Sequence, residues 1–281
     1  MSNAPAHQVV AYLGPAGSYT HAAALKGFGG QTQFLPMSDI GAVFAAAENG
    51  KATVAVVPVE NSSEGSVVAT LDRLLTTPLL IQTEWLLPIH HCLLAQPGTR
   101  SEHIRLIRSH QQSLGQCRDW LQRHYPEVEK VAASSNSEAA RLATLETGVA
   151  AIAGRNAAEL YGLAILAESI EDTSDNTTRF VALGRAAPAP RSGRDKTSLF
   201  ILVRNEPGAL LRALEPFERH GINLSKLESR PTRKAAWSYS FYVDVDGHQD
   251  DAGFKAVLEE LQRLEVEVKL LGSYPAAGAV Q

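Results

Sequence analysis

Residues Thr173–Gly184, TSDNTTRFVALG, set an aspartate, an asparagine, two threonines and an arginine directly before the apolar run Phe180–Leu183. Ser174, Asp175 and Asn176 are turn formers, and the apolar run reads as a buried strand. Hydroxyls, an amide and a guanidinium are therefore expected at the mouth of a strand. That set suits a small polyanion. Arg179 offers a planar fork to a carboxylate, and the hydroxyls can address a neighbouring oxygen. A polar turn carrying Arg179 as a surface charge has the same pattern, so this segment alone leaves both readings open.

Three other polar segments also border apolar runs, each following its run. Gly14-Pro15-Ala16-Gly17-Ser18-Tyr19-Thr20 follows a strand pattern and precedes a helix. Its helix-start amides can hold an anion, or it is an ordinary turn. Pro58–Ser66 is denser in polar side chains, and Glu60 and Glu64 within it suit acid–base work or a plain charged loop. Ser109-His110-Gln111-Gln112 is followed one helical turn later by Gln116. Loops at the carboxyl ends of strands are where open α/β sheets bind ligands. His90 and His91 are adjacent in an extended segment and point to opposite faces, which makes a poor chelate. They read as structural or solvent-exposed. GxGxxG, P-loop, GxSxG, HExxH and CxxC patterns are all missing from the sequence.

The elements that must position these groups alternate. Val9–Leu13, Val54–Val57, Leu79–Leu87, Ile104–Arg108 and Ala150–Ala153 read as strands. Ser18–Phe28, Asp39–Glu48 (with Ser38 as cap), Val67–Leu75, Leu114–His124, Ala139–Leu145 and Ala157–Tyr161 read as helices. Ser135 and Glu138 have capping-box spacing. The expected class is α/β, with helices on either side of sheets. Arg185–Asp195, RAAPAPRSGRD, reads as a linker. Beyond it the order is βαββαβ: Thr197–Val203, Ala209–Arg219, Ile222–Ser229, Trp237–Val245, Ala252–Arg263 and Val266–Leu271. Pro216 predicts a kink in the first helix of this unit.

Composition narrows the function classes. The chain has 281 residues, 44% of them hydrophobic, and a net charge of −4. That is one large or two ordinary domains with a real core. Without a Lys/Arg block, a nucleic-acid surface is not expected. Cys92 and Cys117 fit neither a metal site nor a disulfide framework and read as small buried hydrophobes in a reducing compartment. No run reaches transmembrane length, and no signal-peptide pattern opens the chain, so a cytoplasmic protein is expected.

These segments, taken together, resemble one family: prephenate dehydratase with a C-terminal ACT regulatory domain. The matching stretches are YLGPAGSYTHAAA at Tyr12–Ala24, VPVENSSEGSV at Val57–Val67, SHQQSLGQC at Ser109–Cys117 and DNTTRF at Asp175–Phe180. NEPGALLRAL at Asn205–Leu214 and GINLSKLESRP at Gly221–Pro231 follow the linker. They occur in order across almost the whole chain. Departures are small: Gln111 stands where the family usually has proline, and Ser225 and Ser137 stand for threonines.

The resemblance implies a two-lobed catalytic domain, similar to periplasmic binding proteins, over residues 8–184. Lobe one would take about 8–83 and 172–184, lobe two about 84–171. A linker, 185–195, would lead to a ferredoxin-like βαββαβ ACT domain, 196–274. The implied activity is loss of carbon dioxide and water from prephenate to give phenylpyruvate, in phenylalanine biosynthesis, with phenylalanine inhibiting through the ACT domain. Thr178 is the implied catalytic threonine, donating to the leaving hydroxyl. Glu60 is a candidate relay, and Arg179 a candidate carboxylate clamp or loop holder. Ser18, Thr20, Ser38, Asn61, Ser62, Ser109, Gln116, Asn176 and Phe180 are expected around the substrate. Asn205, Gly208, Ala209, Leu210, Asn223, Leu224, Glu228, Ser229 and Arg230 are expected at the effector, with the second motif coming from the partner of a homodimer or homotetramer. No metal, cofactor, nucleic acid or membrane is implied. No helical segment for a fused chorismate mutase is seen before Tyr12, so a monofunctional enzyme is expected. Arogenate dehydratase and a non-catalytic amino-acid or keto-acid sensor are the competing readings.

Overall fold

A computed structural model describes residues 8–29, 32–186, 189–231 and 239–278. The chain begins with β1 (Val9–Leu13), α1 (Tyr19–Phe28), β2 (Gln33–Met37), α2 (Ile40–Glu48), β3 (Val54–Asn61), the short β4 (Gly65–Ser66), α3 (Val68–Thr76) and β5 (Leu80–Pro88). It then builds a second sheet from β6 (Cys92–Ala95), β7 (Leu106–His110), α4 (Gln111–Gln116), α5 (Arg118–His124), β8 (Glu129–Ala133), α6 (Asn136–Ala143), β9 (Val149–Ala153), α7 (Arg155–Tyr161) and β10 (Ala164–Ala167). β11 (Thr177–Gly184) returns to the first sheet and inserts between β3 and β5. The sheet orders are β2-β1-β3-β11-β5 and β10-β6-β9-β7-β8. Two lobes result, joined by two crossings, at residues 89–91 and 168–176. β5 pairs with β11 as far as Pro88↔Thr177, so the first crossing comes after that strand rather than at Glu84.

Strand periodicity explains the first lobe's layers. Val10, Tyr12, Val56 and Ala182 pack on the α1 side, while Ala11, Val57 and Val181 pack with α2 and α3. Both sheet faces are covered, so β3 reads as a continuous apolar run. It also continues through Pro58 to Asn61, beyond the end expected at Pro58. The α2 cap is Asp39, whose carboxylate accepts from the Ala42 amide at 2.8 Å; Ser38 instead donates to Asp39. The expected helix Leu114–His124 is two helices broken at Cys117. The reason lies far along the chain: the Asp172 carboxylate accepts from the amides of Asp119 and Trp120, both at 2.9 Å, and caps α5. Ser135 does cap α6 through the Glu138 amide, but Glu138 itself turns to Arg141. Cys92 and Cys117 are buried free thiols in the second lobe's core.

The third unit runs β12 (Asp195–Val203), α8 (Ala209–Arg219), β13 (Leu224–Pro231), β14 (Tyr239–Asp246), α9 (Ala252–Arg263) and β15 (Glu267–Pro275), with sheet order β13-β14-β12-β15. The beginning of the strand expected at Trp237, and part of the expected linker, fall outside the described residues. Pro216 lies buried inside α8. One sheet face holds both helices through Leu199, Ile201, Val243 and Val245. Phe200, Tyr242, Leu271 and Tyr274 on the other face join the first lobe's core beside Leu71, Leu74, Ile81 and Val181. The third unit is thus seated directly on lobe one. Among the described residues no helix is long and apolar enough to cross a membrane.

Candidate active site

A cleft of about 790 Å³ lies between the two lobes, lined by strand exits from both. Lobe one contributes Ser18, Thr20, Ser38, Asn61, Ser66, Asn176, Thr178 and Phe180; lobe two contributes His110, Gln112, Ser113, Gln116, Ser135 and Asn136. Three polar segments leave strands here, and the fourth enters β11, whose start lies beside the end of β3 because the two strands are antiparallel, Thr178 opposite Asn61.

Thr178 is buried, and its position is defined by Asn61. Asn61 Nδ2 donates to Thr178 Oγ1 and to Asn176 Oδ1, both at 2.7 Å. Asn61 Oδ1 accepts from the amides of Ser63 and Glu64 at 3.0 and 3.1 Å. Those two amides fix which end of the Asn61 side chain faces Thr178. Because Thr178 Oγ1 already accepts a hydrogen bond, its own proton is available to a group in the cleft. Accepting that bond also stabilises negative charge on the threonine oxygen, making the hydroxyl a better donor.

Several expected site residues stand behind the cleft wall rather than in it. Consecutive strand residues face opposite sides, so Thr178 and Phe180 line the cleft while Arg179 points away. Arg179 Nε donates to Glu84 at 2.6 Å, Nη1 to Asp244, and Nη2 to the Tyr274 hydroxyl at 2.9 Å. Its guanidinium is therefore closed within carboxylates and does not clamp a carboxylate in the cleft. Glu60 is turned the same way, and its carboxylate pairs with Lys226 at 2.6 Å on the third unit. This corrects the expectation of Glu60 as a proton relay beside Thr178. Ser109 is fully buried and donates to the Ile152 carbonyl at 2.7 Å and to Asn136 at 3.1 Å, so it supports the wall. Ser62 donates to the Asp175 carbonyl and accepts from the Thr177 amide, holding the loop before Thr178.

The turn at Gly14–Thr20 joins the lobes. Asn156 Nδ2 donates to the Gly17 and Ser18 carbonyls at 2.8 and 2.9 Å, and Ser137 donates to the Ala16 carbonyl. Gly17 has φ +84, and a Cβ there would lie 2.8 Å from Ser137 Oγ. Ser18 caps α1 and donates to the Leu13 carbonyl, leaving it acceptor capacity only.

Residue-type reasoning missed Tyr19, His91, Ser113 and Asn136. Asn136 Oδ1 accepts from Ser109, Ser113 and the His110 amide, a hub invisible in local sequence. His91, expected to be structural or solvent-exposed, is 1% exposed, lines the cleft, and bonds Tyr19 and Gln116. Burial lowers its pKa, so it is neutral at pH 7. His90 points outward to Glu171 at 2.8 Å. Burial alone would raise Glu171, but hydrogen bonds from His90 and the His91 amide hold it below the usual carboxylate range. No cluster of metal-ligating side chains occurs among the described residues.

On the third unit, Asn205–Leu210 follows β12, whereas Glu228–Arg230 lies on β13, separated from β12 by β14. Gly208 is in the left-handed region, φ +78, at the start of α8. Leu210 and Leu224 are partly buried in that unit's core, and Asn223 donates to Asp246. Glu228 accepts from Ser66, and Arg230 pairs with Asp72 at 2.8 Å, so both side chains face lobe one. Ser229 and Leu227 face the other way and are exposed.

The family model described as prephenate dehydratase matches residues 10–188, and that described as ACT domain matches residues 197–265. A bifunctional chorismate mutase/prephenate dehydratase of Stutzerimonas stutzeri is 49% identical over 268 residues, 95% of this chain and 73% of that protein. The crystal structure of a prephenate dehydratase from Arthrobacter aurescens in complex with L-Phe superposes with a TM-score of 0.87 at 37% identity, covering 95% of this chain and 90% of that one. A structure described as GqqA, a novel type of quorum quenching acylase, has the same TM-score at 31% identity, covering 96% and 98%.

Proposed function

This chain belongs to the prephenate dehydratase family, and we propose that its interlobe cleft removes water and carbon dioxide from prephenate with Thr178 as the proton donor. The enzyme is a carbon–oxygen lyase of phenylalanine biosynthesis carrying an ACT domain, and phenylalanine regulates it through that domain. The Arthrobacter relative, seen with L-Phe, supports the feedback.

Prephenate carries two carboxylates and a ring hydroxyl opposite the ring carboxylate. Its carbon–oxygen bond breaks as the ring carboxylate leaves as carbon dioxide, and the electron pair from that carbon–carbon bond completes the aromatic ring. The departing oxygen needs a proton or a strong donor. The Asn61–Thr178 contact at 2.7 Å carries this reading, because it leaves the Thr178 hydrogen directed to a third group. A hydroxyl is a weak acid, so donation is concerted with bond breaking, and Asn61 stabilises the oxygen meanwhile. Asn176, Ser38, Thr20, Ser113 and Gln116 orient the substrate's oxygens. Closure of the lobes about residues 89–91 and 168–176 removes water, which favours loss of a neutral gas. Acyl transfer to a serine would need a serine–imidazole pair, and none is hydrogen-bonded among the described residues.

Residues 8–184 form the catalytic domain and 196–274 the ACT domain in this reading. The ACT domain pairs with a second copy along the β13 edge, where Leu227 is exposed, as is Leu211 on α8. That brings Ser229 of one subunit to the Gly208 turn of the other and makes the enzyme a homodimer or a dimer of dimers. The protein is cytoplasmic in this reading, in keeping with its two reduced cysteines.

The deciding measurement is phenylpyruvate formation from prephenate by the purified protein, with and without phenylalanine, and with arogenate in parallel. Turnover of prephenate suppressed by phenylalanine is expected. A folded protein that turns over neither substrate would sink the catalytic reading in favour of a sensor.

A further inference from the structure

Asn61 faces the cleft because β3 breaks its alternation. Pro58 and Asn61 both line the cleft, although residues three positions apart face opposite sides of a regular strand. Between them, Val59 and Glu60 both face the third unit. Val59 packs in the core shared with Phe200 and Tyr242, and Glu60 pairs with Lys226 at 2.6 Å. The cause is a slip in the pairing with β11. Phe180 lies opposite Pro58 and Arg179 opposite Glu60, so Val59 is an extra residue. A bulge of this kind bends the strand and re-aims the side chains beyond it. Without the slip, Glu60 would stand opposite Thr178 at the cleft and Asn61 would turn away.

Outside its pairing with β11, lobe one holds this end of β3 lightly. β1 pairs with β3 only from Val54 to Val56. β4 adds two residue pairs, Glu60↔Ser66 and Asn61↔Gly65. Such a short ribbon is marginal by itself. The ACT domain supplies a further hold. Lys226 and Glu228 alternate along β13 with exposed Leu227 and so share a face. Lys226 Nζ lies 2.6 Å from Glu60 and 3.7 Å from Glu228, and Glu228 accepts from Ser66. Since Glu60 and Ser66 are register partners, the contacts close a ring on the β3–β4 hairpin. The Lys226 side chain is 14% exposed, which limits the screening of its charge. It sits between two carboxylates that would otherwise repel each other across the domain boundary.

We propose that Lys226 is a positioning residue of the dehydratase site: by holding Glu60 on the ACT side it keeps the bulge at Val59, which aims Asn61 Nδ2 at Thr178 Oγ1. This rests on the cleft being the prephenate site with Thr178 as its proton donor. Lys226 touches no reacting atom and acts through Glu60 and Asn61. The ACT domain thereby completes the catalytic site even without its effector.

The test uses the full-length enzyme with prephenate and no phenylalanine. Lys226→Met is expected to lower kcat by about 3- to 10-fold, the range of a partly screened ion pair, with KM nearly unchanged. Lys226→Arg keeps the charge and should recover most of that loss. In a Thr178→Ala background, Lys226→Met should cost nothing further, because the hydroxyl it serves through Asn61 is gone. Losses that multiply, or a Lys226→Met enzyme with wild-type kcat, would overturn the proposal. Hydrogen exchange supplies a readout independent of rate. Peptides covering residues 59–67 should exchange faster in Lys226→Met, while those of β1 and α9 keep their protection. Unchanged exchange at 59–67 would also overturn it, as would an equal rise everywhere, the mark of a general loss of stability. Should Lys226→Met not fold, Glu60→Gln takes its place with the same expectations, since it removes the charge that Lys226 holds. Turnover by the wild-type enzyme separates the two levels. Without it the cleft reading itself fails; with it, multiplying losses or unchanged exchange remove only the role of Lys226.

Discussion

Thr178 and Arg179 are neighbours on β11 that serve opposite faces of one sheet. Thr178 Oγ1 accepts from Asn61 at the cleft, while Arg179, one residue on, is bound to Glu84 and, across the domain boundary, to Asp244 and Tyr274. The strand that presents Thr178 to the cleft is therefore held from behind by the ACT domain. Glu60 and Asn61 repeat the pattern on β3, with Glu60 paired to Lys226. Effector binding at the ACT domain has in these pairs a direct physical contact with the strands that carry Thr178 and Asn61.

The front of this arrangement is tested by Thr178→Ala and Thr178→Ser. Alanine removes the hydroxyl and leaves Asn61 Nδ2 with Asn176 as its acceptor, so kcat should fall by ~100- to 1,000-fold with a much smaller change in KM. Serine keeps the hydroxyl but loses the β-branch that fixes its rotamer, and should recover part of the rate. Steady-state kinetics with prephenate decide it, and near-normal turnover by the alanine enzyme would remove Thr178 from the proton path.

The back is tested by Arg179→Met. The arginine side chain is 7% exposed and its two carboxylate partners 1% each. Taking away the cation leaves Asp244 buried without it, while Glu84 keeps Lys196 at 2.9 Å. Breaking such a pair costs about 3–5 kcal/mol of stability, readable by urea unfolding. If the folded variant instead kept full stability and raised KM by roughly tenfold or more, Arg179 would be a substrate clamp after all.

What the sequence could and could not disclose follows from this geometry. Convergence of the three polar strand exits was legible, because alternating strands and helices put loops at one sheet edge; the DNTTRF segment joins them as the entry to an antiparallel strand. The side each residue faces was not, since DNTTRF reads the same whether Thr178 or Arg179 points to the cleft. The orientation is set by pairing with β3 and β5, more than 90 positions away for β5. The break at Cys117 was hidden for a similar reason, as its cap comes from Asp172. Expecting His90 and His91 to point to opposite faces was sound, and it correctly excluded a chelate. It did not say that one of the two faces was the cleft.

Gly208→Val probes the effector side. Gly208 has φ +78, where a β-branched residue is strained, and a Cβ would lie 2.9 Å from Arg212 Nη1. The turn before α8 should distort and phenylalanine inhibition weaken, while turnover without phenylalanine persists because the cleft is untouched. Inhibition curves compare the two enzymes directly, and an unchanged half-inhibitory concentration would place the effector elsewhere.

Acid stability should reveal two histidines, the half-buried His21 and the buried His91. Burial lowers the pKa of His21 and of His91. His21 is stacked on Tyr12, with ring centroids 4.7 Å apart, and accepts from the Gly17 amide; His91 lies between Tyr19 and Gln116, with His90 and Glu171 beside it. In the unfolded chain both titrate near the ordinary value of about 6.5. Below that pH the unfolded state binds protons that the folded state refuses, so stability falls with pH. It is fully present above about 6.5 and declines as pH drops toward the lowered folded values. Melting temperature should accordingly be flat from about pH 7 to 8 and fall below about 6.5, before the carboxylates titrate. Phenylalanine at both positions lowers the whole curve but should flatten that decline, since phenylalanine binds no proton in either state. An equally steep fall in the double variant would assign the acid sensitivity to other groups.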